Sequence, residues 1–228
     1  TWWEGHVQMG PDGSLFAGND DFHLYRLSRE GAITGSWQTG DQVWSCAAFA
    51  PDGTMFFGSN DLSLRAVAPD GSPAGQWPTL GPVTASPAVS EDGRLVVVGS
   101  FDGFVHGIDP SRDGTPAWSF PTRDHIYGSA ALAADGTAFV GSTDGTLYAI
   151  GPDGILRWAF DTLDPIRSSV ALDGEGTAYF GAGDGRLYAV GADGRRRWSF
   201  DTRTSDRNDL NGSPALGPDG VFIGGESG

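Results

Sequence analysis

Short apolar runs alternate along the chain with polar pairs built around glycine, and the alternation carries a fixed long-range period. Trp37, Trp77, Trp118, Trp158 and Trp198 recur at steps of 40, 41, 40 and 40 residues. A glycine series, Gly18, Gly58, Gly99, Gly141, Gly181 and Gly224, recurs at steps of 40 to 43. Aligned on both, the clearest unit holds Ser129-Ala130-Ala131-Leu132, Asp135-Gly136, Thr137 to Gly141, Asp144-Gly145, Leu147-Tyr148-Ala149-Ile150, Asp153-Gly154 and Arg157-Trp158-Ala159-Phe160. These are four runs rich in β-branched and aromatic residues, separated by Asp-Gly or an equivalent pair. Asp-Gly suits a tight hairpin, because Gly tolerates positive φ and Asp can bond its own turn backbone. Four strands joined by hairpins make one antiparallel sheet, and a period of about 40 to 45 residues with four strands per unit predicts a propeller blade. The apolar faces of such a blade are buried only by its neighbours. A right-handed solenoid is the alternative, although strand-type solenoid repeats are shorter.

The predicted fold is all-β, a single β-propeller domain over residues 1–228. Its repeats fall near 1–41, 42–81, 82–124, 125–164 and 165–208, with a partial sixth over 209–228. Strand A, nearest the axis, is expected to begin at Ser129 and its equivalents His6, Cys46, Ser86, Ser169 and Ser213, small residues for the most part because strands converge there. Strand B carries Phe139-Val140, strand C carries Leu147 to Ile150, and the outer strand D carries the periodic Trp, a packing residue whose indole N–H can reach a neighbouring carbonyl. The sixth unit lacks its Leu-Tyr-Ala and Trp strands, and an open ring would expose an apolar face. The expectation is therefore a ring of six to eight blades, the remainder coming from a longer chain or another subunit.

Composition narrows the classes. With 39% hydrophobic and 11% aromatic residues the chain can pack a core, which excludes intrinsic disorder. Its 36 Gly and 14 Pro suit frequent turns and little helix. No run approaches the roughly 18 apolar residues of a membrane span. Thr1-Trp2-Trp3-Glu4 has no basic region leading into an apolar stretch, so any signal peptide is expected to have been removed or never to have existed. The 29 acidic residues face 14 basic ones, all Arg, for a net charge of −15. A nucleic-acid backbone would be repelled, and the densest basic cluster, Arg195-Arg196-Arg197, reads as a solvated outer-strand face. The absence of Lys excludes Schiff-base chemistry and a Walker lysine. Cys46 is the single cysteine, so neither an intrachain disulfide nor a Cys-based zinc cluster can form.

Ser86-Pro87-Ala88 and Ser213-Pro214-Ala215, the Gly-Ser-x-Asp-Gly turns, Leu147-Tyr148-Ala149-Ile150 and Trp158-Ala159-Phe160 resemble the quinoprotein, or pyrroloquinoline-quinone-like, propeller repeat. The resemblance covers nearly the whole chain and implies the fold. It leaves activity open, since the family holds dehydrogenases, a lipoprotein that scaffolds outer-membrane protein assembly, and sensor domains. It also implies extracytoplasmic placement, and the use of Arg in place of Lys suggests a high-GC bacterial source. The alcohol-oxidising members hold their quinone against a disulfide of adjacent cysteines and use an Asp base with calcium. This chain has only Cys46, and although Asp206, Asn208 and Asp209 offer suitable oxygens, no catalytic residue of the family transfers to it.

Propellers usually present their sites on the loops from strand D to the next strand A, together with the B-to-C turns. The B-to-C turns here are short and regular, so their Asp residues read as turn formers. The D-to-A loops vary from unit to unit, which is where function is grafted. The candidate binding face comprises Trp44, Asp124, His125, Tyr127, Asp164, Arg167, Asp206, Arg207, Asn208 and Asp209. Arg supplies a planar donor fork and Trp or Tyr a stacking face. No metal site is assigned. The favoured reading is a non-catalytic binding, scaffold or sensor module for a protein or glycan, without a cofactor. The alternatives are a dehydrogenase using pyrroloquinoline quinone with calcium, and a carbohydrate-active lyase or hydrolase using His125, Tyr127 and Arg167.

Overall fold

The computed structural model describes residues 7–112, 114–162, 164–202 and 209–225, and no helix occurs among them. Five antiparallel sheets of four strands follow one another, each in sequential order. The first blade holds β1 (Gln8–Met9), β2 (Leu15–Gly18), β3 (His23–Leu27) and β4 (Ile33–Gln38). The second holds β5 (Ala48–Phe49), β6 (Met55–Ser59), β7 (Ser63–Val67) and β8 (Pro73–Pro78). The third holds β9 (Ala88–Val89), β10 (Val96–Gly99), β11 (Phe104–Ile108) and β12 (Trp118–Pro121). The fourth holds β13 (Ala131–Leu132), β14 (Ala138–Gly141), β15 (Thr146–Ile150) and β16 (Leu156–Asp161). The fifth holds β17 (Ala171–Leu172), β18 (Ala178–Ala182), β19 (Arg186–Val190) and β20 (Arg196–Asp201), and a two-stranded sheet follows, β21 (Ala215–Gly217) with β22 (Gly220–Phe222).

The second and third strands of a blade lie between neighbouring blades and are buried on both faces where packing is complete, as in β15, of which every residue is buried. The outer strands alternate with solvent, as in β16. The core is accordingly a series of layers between blades. Phe139, Leu147 and Ala149 of the fourth blade pack with Ile166, Phe180, Tyr188 and Val190 of the fifth. The recurring glycine at or next to the end of the second strand has the same cause. A Cβ on Gly58 would lie 2.4 Å from the Val83 carbonyl oxygen, and one on Gly141 2.2 Å from the Ile166 side chain, because the loop entering the next blade rests directly on that strand.

Two details differ from the sequence expectation. The innermost strands hold only two residues, and Cys46, Ser86, Ser129 and Ser169 precede them. Near the axis these residues pair across blades instead of along them. The amide of Cys46 donates to Ser86 Oγ (2.8 Å), that of Ser86 to Ser129 Oγ (2.9 Å), that of Ser129 to Ser169 Oγ (3.0 Å) and that of Ser169 to Ser213 Oγ (3.0 Å). A serine there links each blade to the one before it. His6, the expected first member, lies outside the described residues, as do Trp2 and Trp3.

The periodic Trp residues, moreover, occupy two registers. Trp118, Trp158 and Trp198 pair with Gly107, Ala149 and Ala189 of the third strand. Trp37 and Trp77 sit two positions further along the outer strand, opposite Leu24 and Leu64, with Gly35 and Gly75 where the other blades have Trp. Both registers perform one task. Trp37 donates to the Gly71 carbonyl, Trp77 to Arg112, Trp118 to Pro152 and Trp158 to Ala192, each at 2.8 to 3.1 Å and each in the next blade's third turn. Trp198 of the fifth blade is 41% exposed and its neighbour Phe200 63%.

Candidate functional site

The B-to-C turns and the D-to-A loops meet at one end of the propeller. There the amides of Asn60, Phe101, Thr143 and Gly183 donate to the carbonyls of Gln42, Pro82, His125 and Pro165. A repeated clamp fixes this end. Each B-to-C turn carries an Asp, and the third strand places a partner four residues later: Tyr25 on Asp21, Arg65 on Asp61, His106 on Asp102, Tyr148 on Asp144 and Tyr188 on Asp184. The same carboxylates accept loop amides of the preceding blade, Gly40 on Asp61, Leu80 on Asp102 and Arg123 on Asp144, at 2.8 to 3.0 Å. The turn aspartates therefore also tie blade to blade.

His106 is the histidine version of this clamp. Its Nε2 lies 3.1 Å from Asp102 and its Nδ1 2.8 Å from Ser119 Oγ, a carboxylate–imidazole–hydroxyl chain. Sister blades hold Tyr or Arg in the position of His106, so the chain is explained by the clamp without catalysis. The clamp also sets ionisation. Burial pushes Asp144 up, but hydrogen bonds from Tyr148 and the Arg123 amide outweigh it and hold the carboxyl below its ordinary value. Tyr188 is pushed up to about 12, by burial first and by its bond to Asp184 second. The stability that this phenolic proton supplies is complete below tyrosine's ordinary value of 10.0 and is lost as pH rises through about 12. Tyr188→Phe should accordingly flatten the decline of stability across that window, as followed by chemical denaturation at stepped pH.

The candidate loop residues are positioned on this frame. A buried aliphatic anchors each loop, Val43, Val83, Ile126, Ile166 or Leu210, all at most 2% exposed. The next residue faces the loop end: Trp44, Thr84, Tyr127, Arg167 and Asn211 occupy this one position in successive loops. Trp44 donates its indole N–H to Asp20 Oδ1 at 3.0 Å, on the turn of the preceding blade. Tyr127 is 42% exposed. Arg167 is half-buried, and no ion pair joins it to another described residue. Asp124 and Asp164 are exposed and use their carbonyls to accept from Thr122 and Thr162. No hydrogen bond or ring contact joins Trp44, Tyr127 and Arg167 to one another among the described residues. Asp209 is exposed, whereas Asp206, Arg207 and Asn208 lie outside the described residues.

His125 and Tyr127 do come together, through a residue absent from the expected set. Phe101, on the turn of the third blade, stacks on His125 (centroids 5.3 Å apart, planes at 14°) and tilts against Tyr127 (4.4 Å, 56°). The residues at its position elsewhere are Asp20, Asn60, Thr143 and Gly183, so an aromatic side chain in a turn that is otherwise polar or glycine was the available signal. Aromatic pairs of this kind contribute about 0.5 to 1.5 kcal/mol beyond burial, so the three rings form a fixed platform. Among the described residues no three His, Cys, Asp or Glu side chains are grouped to hold a metal.

Sequential four-stranded blades, clamped at one end beneath variable loops, define a β-propeller of the repeat-blade class. Residues 36–228 match the family model of pyrroloquinoline-quinone-like repeats described as outer membrane protein assembly factor BamB, and the chain belongs to that family. No curated protein matches the chain at a level that marks a relative.

Proposed function

We propose that this propeller is a non-catalytic binding module that presents its loop end to a protein partner, with Phe101, His125 and Tyr127 at the contact. The observation that carries this reading is a departure from the repeat. At one junction between blades Phe101 and His125 depart together from their counterparts, where the fold tolerates Gly, Pro, Asp or Thr, and they stack beside Tyr127, whose position is aromatic in one other loop, at Trp44. A feature that sister blades dispense with is not required for folding. Exposed, pre-stacked aromatics are the residue types that dominate binding energy at protein interfaces, and their order lowers the entropy lost on binding. The family description, an assembly factor, points to the same class of role. Extracytoplasmic placement belongs to the proposal on the same ground. It includes no cofactor: a lone Cys46 cannot make the adjacent-cysteine disulfide of the alcohol-oxidising members.

The test is a photo-crosslinking residue placed at Tyr127 in the native host, with Asp52, an exposed turn residue at the other end, as control. We expect one adduct of discrete mass from position 127, absent from position 52 and lost when Phe101 and His125 are both alanine. Equal labelling at the two ends, or none at 127, would overturn the proposal. A glycan could use the same rings, and an adduct that disappears on deglycosylation would replace the protein reading with that one.

A further inference from the structure

A cleft lies at the opposite end of the propeller, between the first and second blades, where the repeat leaves a space that it fills elsewhere. The forward face of the third and fourth blades offers two aromatic side chains to the next blade, Trp118 with Phe120 and Trp158 with Phe160. Phe120 meets Tyr148, and Phe160 meets Phe180 and Tyr188. The first and second blades have Gly and Trp at those two positions, which is one ring fewer. At the junction of the second and third blades a longer turn covers the deficit: Gly107 pairs with Trp118 across eleven residues, where Ala66 pairs with Gly75 across nine. Trp77 is consequently 1% exposed. At the first junction the facing turn, Ala68 to Ser72, is short, and Trp37 stays half-exposed beside a cleft of about 480 Å³. That volume lies within the range of small-molecule sites.

The walls indicate what the cleft would take. Phe16 and Trp37 of the first blade and Phe49 of the second form its aromatic lining, with Phe16 near-parallel to Trp37 (21°) at 6.3 Å and edge-on to Phe49 at 5.0 Å, and Met55, the cross-strand partner of Phe49, and Val67 continue the second blade's wall. Arg26 stands at the rim. It is the cross-strand partner of Gly35 and occupies a position that is Ala66, Gly107, Ala149 and Ala189 in the other blades. A charge at this position of the third strand is thus specific to this junction among the described blades. The guanidinium is held by Asp12 and, through Nε at 2.9 Å, by Ser14 Oγ, which uses part of its donor fork. A missing ring, aromatic walls and a positioned guanidinium occur together only here among the described junctions.

We propose that this cleft binds a small planar ring-bearing monocarboxylate, its ring against Trp37 in the place of the missing side chain and its carboxylate on Arg26. The site is independent of the loop-end platform, so each can fail without the other. The probe is 2-naphthoate, titrated into the whole chain and followed by amide chemical shifts. Saturable binding is expected, with shifts confined to the cleft lining, residues 11–16, 26, 34–37, 49–55 and 67–71. Arg26→Ala, which installs the residue already used by the second, fourth and fifth blades, should weaken binding about tenfold, the loss of one charge-assisted contact. The double variant Gly35→Trp with Trp37→Phe recreates the Trp-x-Phe of the later blades and should abolish binding by filling the cleft. Absence of saturation in the wild type, shifts centred elsewhere, or an affinity unchanged by Arg26→Ala would each overturn the proposal. If the double variant does not fold, the Arg26→Ala comparison decides.

Discussion

Replacing Trp77 with alanine should lower the stability of the propeller by about 4 kcal/mol, the usual cost of emptying a large aromatic site in a core. At roughly 2 to 4 °C per kcal/mol for a domain of this size, the unfolding midpoint should fall by about 10 °C. Trp198→Ala should cost less than about 1 kcal/mol, although both residues belong to one periodic series in the sequence. The difference lies in what stands beside each of them. Trp77 is 1% exposed, packs with Phe56 at 6.3 Å and donates its indole N–H to the Arg112 carbonyl, so its removal leaves a cavity and an unpaired acceptor. Trp198 is 41% exposed and contacts Tyr179 within its own blade. Thermal and urea unfolding of the two variants side by side checks the contrast. Equal losses would show that the indole stabilises its own blade more than the junction.

That pair also shows what the sequence could convey. The four-stranded repeat and its strand order were legible because Asp-Gly turns, second-strand glycines and Leu-Tyr-Ala strands repeat at a nearly constant interval, and each has a local physical cause that propensity can express. Register was not. Trp77 and Trp118 are 41 residues apart like their glycines, yet a third-blade turn two residues longer offsets a two-residue shift along the outer strand. Spacing cannot separate two displacements that compensate. The inner serines read as the first residues of strand A, but the strands begin two residues later, because the hydrogen bonds these serines form run between blades 40 to 44 residues apart.

The candidate site was partly legible for a similar reason. Tyr127 and His125 stand out in a variable loop, whereas Phe101 belongs to a turn that precedes them by more than twenty residues, and only the approach of two blades brings it to them. Comparison between sister blades supplies the missing information. Position by position it separates what folding requires, such as the clamping Asp, from what one junction alone carries, such as Phe101 or Arg26.

The clamp should be costly to lose. Asp144→Ala removes the acceptor for three donors, the Tyr148 hydroxyl at 2.6 Å, the Arg123 amide at 2.9 Å and the Thr146 amide at 2.8 Å. Leaving such donors without a partner in a largely buried setting should cost about 3 kcal/mol. Asp144→Asn keeps one carbonyl oxygen and should lose less than half of that. The aspartate's carboxyl is held below its ordinary value of 3.8, so its contribution is complete above that pH and is lost as pH falls through the lower folded value. Stability measured between pH 7 and pH 2 should therefore converge for wild type and Asp144→Asn at the acid end. The same substitution reaches the loop end, because Arg123 stands immediately before Asp124 and His125, and its amide is what Asp144 holds. Hydrogen exchange should accelerate at residues 123–127 in Asp144→Ala while the loop around Trp44, clamped separately through Asp61 and Gly40, keeps its protection. Acceleration at both loops would mean that the blades loosen as one body, and the clamp would then be a global fastener, not a local support for the aromatic platform.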